Sequence, residues 1–272
     1  MNRTRTRRWI RVSGSGKAGL VIVVVVVAIA VIGPLAAPHN PDAVAGLPYA
    51  QPSAAHWLGL DFLGRDVLSR VLHGGLTVVF YAGVATAAAY GVGLLVGLFA
   101  GYRRTWLEAV LMRFTDVILA FPALVLLLLL ATAFGPGITG IVVATAIIQL
   151  PPIIRIVRSA TLEQSVRGYV EAAVARGEGT LVVLRREILP NIARPLSADV
   201  GLRFSWSVLL IASVNFLGLG LQAPASDWGL MVSENRGGIA TNPSVMLVPA
   251  AMLGALTLGI NLLGDALAGG KQ

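Results

Sequence analysis

The stretch VIVVVVVAIAVIG at Val21–Gly33 lies inside an uncharged apolar run from about Gly19 to Ala37. A run of about 20 such residues is what a helix needs to cross the hydrocarbon core of a bilayer. Five more follow, at about Gly75–Ala100, Glu108–Phe134, Ile138–Ile154, Pro195–Leu219 and Ser244–Ala268. Only 12% of the residues are charged and 56% are hydrophobic, whereas ordinary soluble domains carry roughly 25% charged residues. A water-soluble fold could not cover its surface with so few. The expected class is an all-α polytopic membrane protein with six transmembrane helices.

The net charge of +8 would suit a nucleic-acid binder, but the basic residues cluster at the borders of apolar runs, which is how membrane topology is written. Of the 21 Lys and Arg, only Arg65, Arg70 and Arg236 fall in segments that alternation places outside. This asymmetry predicts both termini in the cytoplasm. The resulting layout is a basic cytoplasmic N-terminus (1–18), a first span (19–37), and an extracytoplasmic segment (38–74). A five-helix core (75–268) follows, with an inner loop at 155–194 and an outer one at 220–243, and 269–272 close the chain in the cytoplasm. The basic head and apolar body also fit a secretory signal, but the run exceeds the usual core of roughly 7–15 residues, so an uncleaved span is expected. Gly14–Gly19, GSGKAG, lacks the preceding strand and the Ser or Thr of a phosphate-binding loop, and reads as a flexible polar lead-in. The chain has no Cys, which excludes disulfides and thiolate chemistry.

Several local expectations follow. Pro122 should kink or open the third span. Gly93 and Gly97, spaced G-x-x-x-G, should allow close helix approach. Leu63, Val67, Arg70 and Val71 suggest an interfacial helix in which Asp66 and Arg70 pair. Arg113 with Asp116, and Asp199 with Arg203, are further expected pairs. His39, His56 and His73 show no metal-ligand spacing, so neither a metal nor a cofactor is expected. Gln149 and Asn215 are polar in otherwise apolar spans, and are candidates either for packing hydrogen bonds or for the substrate path.

Carriers that couple to ions typically need carboxylates or histidines inside the membrane. Of the 13 Asp and Glu, only Asp116, Asp199 and Asp265 fall within spans, all near inner ends. That weakens a stand-alone secondary transporter, and directs attention to the charged inner loop as the point where energy enters. There, Thr161-x-x-Gln164 can form a capping box. Tyr169, Ala172, Ala173 and Arg176 share a helical stripe, Gly177 and Gly179 break the helix, and a second short helix should end at Pro190.

Glu171-Ala172-Ala173, then Gly177, then Leu189-Pro190 resembles the EAA loop of ATP-binding-cassette (ABC) importer permeases. HWLGLDFLGRDVLSRVLHGG, LMRFTDVILAFPAL, NFLGLGLQAPASDWGLM and NLLGDAL, in order from His56 to Leu267, are similar to signature stretches of the dipeptide/oligopeptide permeases, C-type subunit. The resemblance implies a type I ABC-importer permease fold in a bacterial plasma membrane. It also implies cytoplasmic coupling helices seated in an ATPase, with Glu171, Ala172, Ala173, Gly177, Leu189 and Pro190 as coupling residues and no enzymatic activity in this chain. The implied partners are a second permease subunit, two ATP-binding subunits and an extracytoplasmic solute-binding protein, and the implied cargo is a di- or oligopeptide or a related solute. Glu187 departs from the pattern, which usually has an apolar residue there. So does Ile211, at a position where the family often carries Glu.

Overall fold

The computed structural model describes residues 14–135 and 137–268. The basic cluster at Arg3–Arg11, the C-terminal residues with Lys271, and Pro136 between the third and fourth apolar runs lie outside them. The described residues form helices α1 (Gly14–Ala36), α2 (Val67–Arg103), α3 (Trp106–Ala120), α4 (Ala123–Ala133) and α5 (Ile138–Ser165). Then come α6 (Gly168–Ala175), α7 (Thr180–Val183), α8 (Leu189–Phe216), α9 (Trp228–Glu234) and α10 (Ser244–Ala268). Among the described residues, five helices are long and apolar enough to cross a membrane, and α3 with α4 make a sixth segment bent by 99°.

That bend is the expected effect of Pro122, and larger than a kink. Phe121 and Pro122 are both extended, so the helix stops and restarts. A residue before proline is pushed out of the α region, and proline itself cannot donate to the preceding turn. At about 1.5 Å per residue, the 11 residues of α4 are too short to cross a core of about 30 Å. In α3 only Thr115 is buried. Its charges are drawn to α5 instead of pairing locally: Asp116 bonds Arg155, not Arg113, and Glu108 bonds Arg158.

Helix α2 is the central post, with 37 residues and a length of about 55 Å. It packs along α5 through a ladder of glycines. A β-carbon on Gly93 would lie 2.6 Å from Ile153, one on Gly97 2.7 Å from Val157, and one on Gly101 2.7 Å from the Arg158 carbonyl. The expected Gly93–Gly97 contact is therefore present and extends one turn further. GSGKAG is not a loose lead-in but the opening turns of α1, where Gly19 lies against Gly259 and Leu262 of α10.

The end of the bundle away from α6 is closed by residues 37–66 and 217–243. The separate interfacial helix does not form, because α2 begins at Val67 and runs on unbroken. Asp66 is its N-cap, accepting from the Ser69 backbone N–H at 2.8 Å, and its extended backbone removes it from the helical register that an i, i+4 pair with Arg70 requires. Burial raises the Asp66 carboxyl, but the hydrogen bonds from Ser69 and His56 and the charge of His39 outweigh this and hold it below the usual range. Arg70, fully buried, turns to Asp61 at 2.7 Å and Glu234 at 2.8 Å, where Arg65 also binds. This two-Arg, two-carboxylate cluster joins the segment before α2 to α9. Beside it the indole N–H of buried Trp228 donates to the Val71 carbonyl at 2.8 Å.

Candidate functional site

The chain leaves α5 at Ser165 and turns sharply through α6 and Gly177 before rising into α8. Thr161 is not a cap here, since α5 continues past it and its hydroxyl donates to the Val157 carbonyl at 2.8 Å. Arg167, with extended backbone, precedes α6 instead.

Helix α6 ends in a Schellman motif. The Gly177 N–H donates to the Val174 carbonyl at 2.9 Å and the Glu178 N–H to the Ala173 carbonyl at 3.2 Å, with Gly177 at φ +80°. That left-handed conformation is why a glycine follows the EAA triplet at this distance. A β-carbon there would meet nothing within 4 Å, so backbone conformation and not crowding selects the residue.

Beyond Gly179 the structure departs from the expectation of a second short helix ending at Pro190. Helix α7 passes through a π-helical turn, Leu184–Ile188, straight into α8. The Leu189 N–H donates back five residues to the Leu184 carbonyl. Pro190 has no N–H and its ring would crowd the carbonyl of Arg186 in a regular helix. A wider turn just before it relieves that crowding and keeps the helix continuous. Between α5 and α8 the chain is therefore one separate short helix, α6, joined through a corner to the foot of α8.

Its two faces are distinct. Val170 and Ala173 of α6 join Val183, Leu184, Ile188, Ile192 and Leu196 in a buried cluster that reaches Ile153 and Val157 of α5 and Ala89 and Leu98 of α2. The other face is open: Glu171, Ala172, Val174 and Gly177 are exposed, as are Leu181 and Pro190, while Leu189 is half-buried. The expected stripe of Tyr169, Ala172, Ala173 and Arg176 thus splits, with Ala173 alone turned inward. Arg176 binds Glu178 at 2.6 Å and reaches Glu187 at 4.0 Å. Glu187, the unexpected residue of this loop, faces the C-terminus of α6 across the corner. Partial burial pushes the Tyr169 phenol up, with Arg167 opposing and Glu187 reinforcing, so it stays a neutral donor to Gln164 Oε1 at 2.7 Å.

Gln149 and Asn215 lie apart from this corner, buried between helices. Asn215 is fully buried, donating to Asp227 at 2.9 Å and accepting from the Leu221 N–H at 3.0 Å. Gln149 is also buried and donates to Ser207, which bonds Thr86. Both make hydrogen bonds between packed segments. Asp199 and Arg203 pair as expected at 3.2 Å, and Tyr90 adds a bond to Asp199.

Residues 93–269, which include the whole α6 corner, match the family described as binding-protein-dependent transport system inner membrane component. The chain belongs to that family. Among its relatives, the glutathione transport system permease protein GsiD of Pectobacterium atrosepticum is 37% identical over 217 residues, covering 79% of this chain and 72% of that one. The dipeptide transport system permease protein DppC of Alkalihalophilus pseudofirmus is 34% identical over 216 residues, covering 79% and 71%. GsiD of Escherichia coli O157:H7 is 36% identical over 217 residues, covering 79% and 71%. This permease is thus an ABC-importer subunit of the C-type, not a stand-alone secondary carrier and not an enzyme. The family and the apolar helices together make it a multi-pass bacterial membrane protein.

Proposed function

We propose that the α6 corner is the coupling element of this permease, gripped by a cytoplasmic ATPase through Glu171, Ala172, Gly177 and the Leu189-Pro190 step. The observation that carries this reading is its two-faced packing. One side of α6 is open, while Val170 and Ala173 are locked into the cluster at the feet of α2, α5 and α8. Displacing such a helix moves α8 with it, because α7, the π turn and α8 form one continuous rod. Both chain termini then lie in the cytoplasm with α6, a reading that the distribution of Lys and Arg supports.

The cargo we infer is a small peptide or peptide-like thiol such as glutathione, the solutes named for the relatives. Two ATP-binding subunits, a second permease subunit and an extracytoplasmic solute-binding protein complete the assembly. Helix α3 exposes Trp106, Leu107, Val110, Phe114 and Val117, an apolar surface suited to lipid or the second permease. Glu171→Arg in the reconstituted complex tests the coupling role. Exposed Glu171 contributes at most about 1 kcal/mol through the helix dipole, so the variant should insert normally and lose ATP-dependent uptake. Unchanged uptake overturns the assignment.

A further inference from the structure

Residues His39, His56 and Asp66 are scattered through the sequence without a ligand-like spacing, yet the fold gathers them. His39 lies just past α1, His56 in the connecting segment, and Asp66 caps α2. One ligand atom from each falls within 4.8 Å of the other two. Both Nδ1 atoms face the Asp66 carboxylate, His56 at 2.8 Å and His39 at 3.7 Å, and the two rings lie 4.7 Å apart.

The surroundings hold this arrangement in place. The Ser69 N–H donates to Asp66 Oδ2 at 2.8 Å, leaving Oδ1 to face His56. The hydroxyl of the same Ser69 accepts from the His39 backbone N–H at 3.1 Å, which anchors the start of the segment beside the cap. Exposure grades from 2% for the Asp66 side chain through 17% for His56 to 39% for His39. The trio therefore has a closed floor and an open mouth.

We propose that His39, His56 and Asp66 form a binding site for a divalent transition metal of the zinc type, at the end of the permease away from α6. Two imidazoles and one carboxylate are a donor set that suits Zn²⁺, Co²⁺ or Ni²⁺, and not Mg²⁺ or Ca²⁺, which take oxygen ligands. Bonds of about 2.0–2.2 Å in a tetrahedron place ligand atoms about 3.4 Å apart, so the present spread closes with sub-ångström to ångström shifts of side chains, largest for the exposed His39. Binding through Nδ1 takes His56 as the neutral imidazole with its proton on Nε2, so a proton on Nδ1 leaves to solvent as Nε2 takes one up. Water fills the fourth position on the His39 side. The bound ion ties the end of α1 to the start of α2. The proposal does not depend on the role given to α6.

The test uses the full-length protein in detergent with any affinity tag removed. Co²⁺ titration, followed by its visible absorption, and zinc content after dialysis should both give one equivalent per chain. His39→Ala changes the most exposed ligand and should leave folding intact by size-exclusion chromatography. It should weaken binding at least about 100-fold, because loss of even an outer partner of a metal ligand costs roughly 10–100-fold. His56→Ala should do the same, whereas His73→Ala, whose ring bonds the Ser69 carbonyl, should bind like the wild type. Absence of binding by the wild type, or undiminished binding by the folded His39→Ala variant, overturns the site.

Discussion

The backbone N–H of Glu178 reaches back over Gly177 to the carbonyl of Ala173 at 3.2 Å. This bond joins the last residue of the EAA triplet to the corner that follows it, and depends on the left-handed conformation at Gly177. A side chain in that conformation costs about 1–2 kcal/mol, with Asn the best tolerated substitute. Gly177→Val should therefore raise amide hydrogen exchange across residues 168–179, while Gly177→Asn should stay close to wild type. Equal protection in the two variants would show that the motif does not set the corner.

Ala172 and Ala173 are adjacent in sequence and opposite in environment. Ala173 is fully buried against α5 and the π turn, and Ala172 is exposed. Ala173→Leu should lower thermal stability in detergent by about 1–3 kcal/mol, the usual cost of overfilling a packed site. Ala172→Leu should leave stability unchanged and reduce co-purification of the ATP-binding subunits. The pair separates the packing role from the docking role.

Much of this was legible because membrane spans and small-residue contacts are written locally. A run of about 20 apolar residues must span, and Gly93 with Gly97 can only present a groove. What failed was the choice of partner for charged groups. Asp66 with Arg70 and Arg113 with Asp116 have helical spacing, but Asp66 is a cap and Asp116 is within reach of Arg155 on another helix. The same limit hid the meeting of His39 and His56, which only the folding back of the segment onto α2 creates. The EAA triplet lies on a short helix ended by Gly177, as its residue types suggest. The fusion of α7 with α8 was not, because a Pro reads as a stop unless a π turn precedes it.

Glu187 was the residue least expected in the corner, and its contact with Arg176 at 4.0 Å is open to solvent, with Arg176 exposed and Glu187 half-buried. Exposed pairs of this kind contribute about 0–1 kcal/mol, and Arg176 keeps Glu178 as a closer partner. Glu187→Ala should accordingly shift the melting temperature little and leave the hydrogen-exchange pattern of α6 unchanged. A large loss of stability would mean that Glu187, not the Schellman motif, holds the corner closed.

The glycine ladder between α2 and α5 can be tested against its own helix. A β-carbon at Gly97 would sit 2.7 Å from Val157, whereas one at Gly91 meets nothing within 4 Å. Both glycines lie in the same span, so insertion cost is similar, but Gly91 is exposed and Gly97 is buried. Gly97→Leu should give aggregated or poorly expressed protein, and Gly91→Leu a monodisperse peak on size-exclusion chromatography. The reverse order would place the close contact on another face.

The buried cluster at the far end gives the sharpest stability prediction. Arg70 has no exposed surface and compensates Asp61 and Glu234 at 2.7 and 2.8 Å. Removing one member of a buried ionic group strands its partners without water, at a cost of about 3–5 kcal/mol. Arg70→Met should thus destabilise the protein far more than any corner variant, and loosen α9 with the segment before α2. The cost comes from uncompensated negative charge, so neutralising a partner should recover part of it. Arg70→Met with Glu234→Gln should melt above Arg70→Met alone, because Asp61 still keeps Arg65 at 2.8 Å. If the double variant melts no higher than the single one, the cluster is held by packing of the Arg70 side chain and not by its charge.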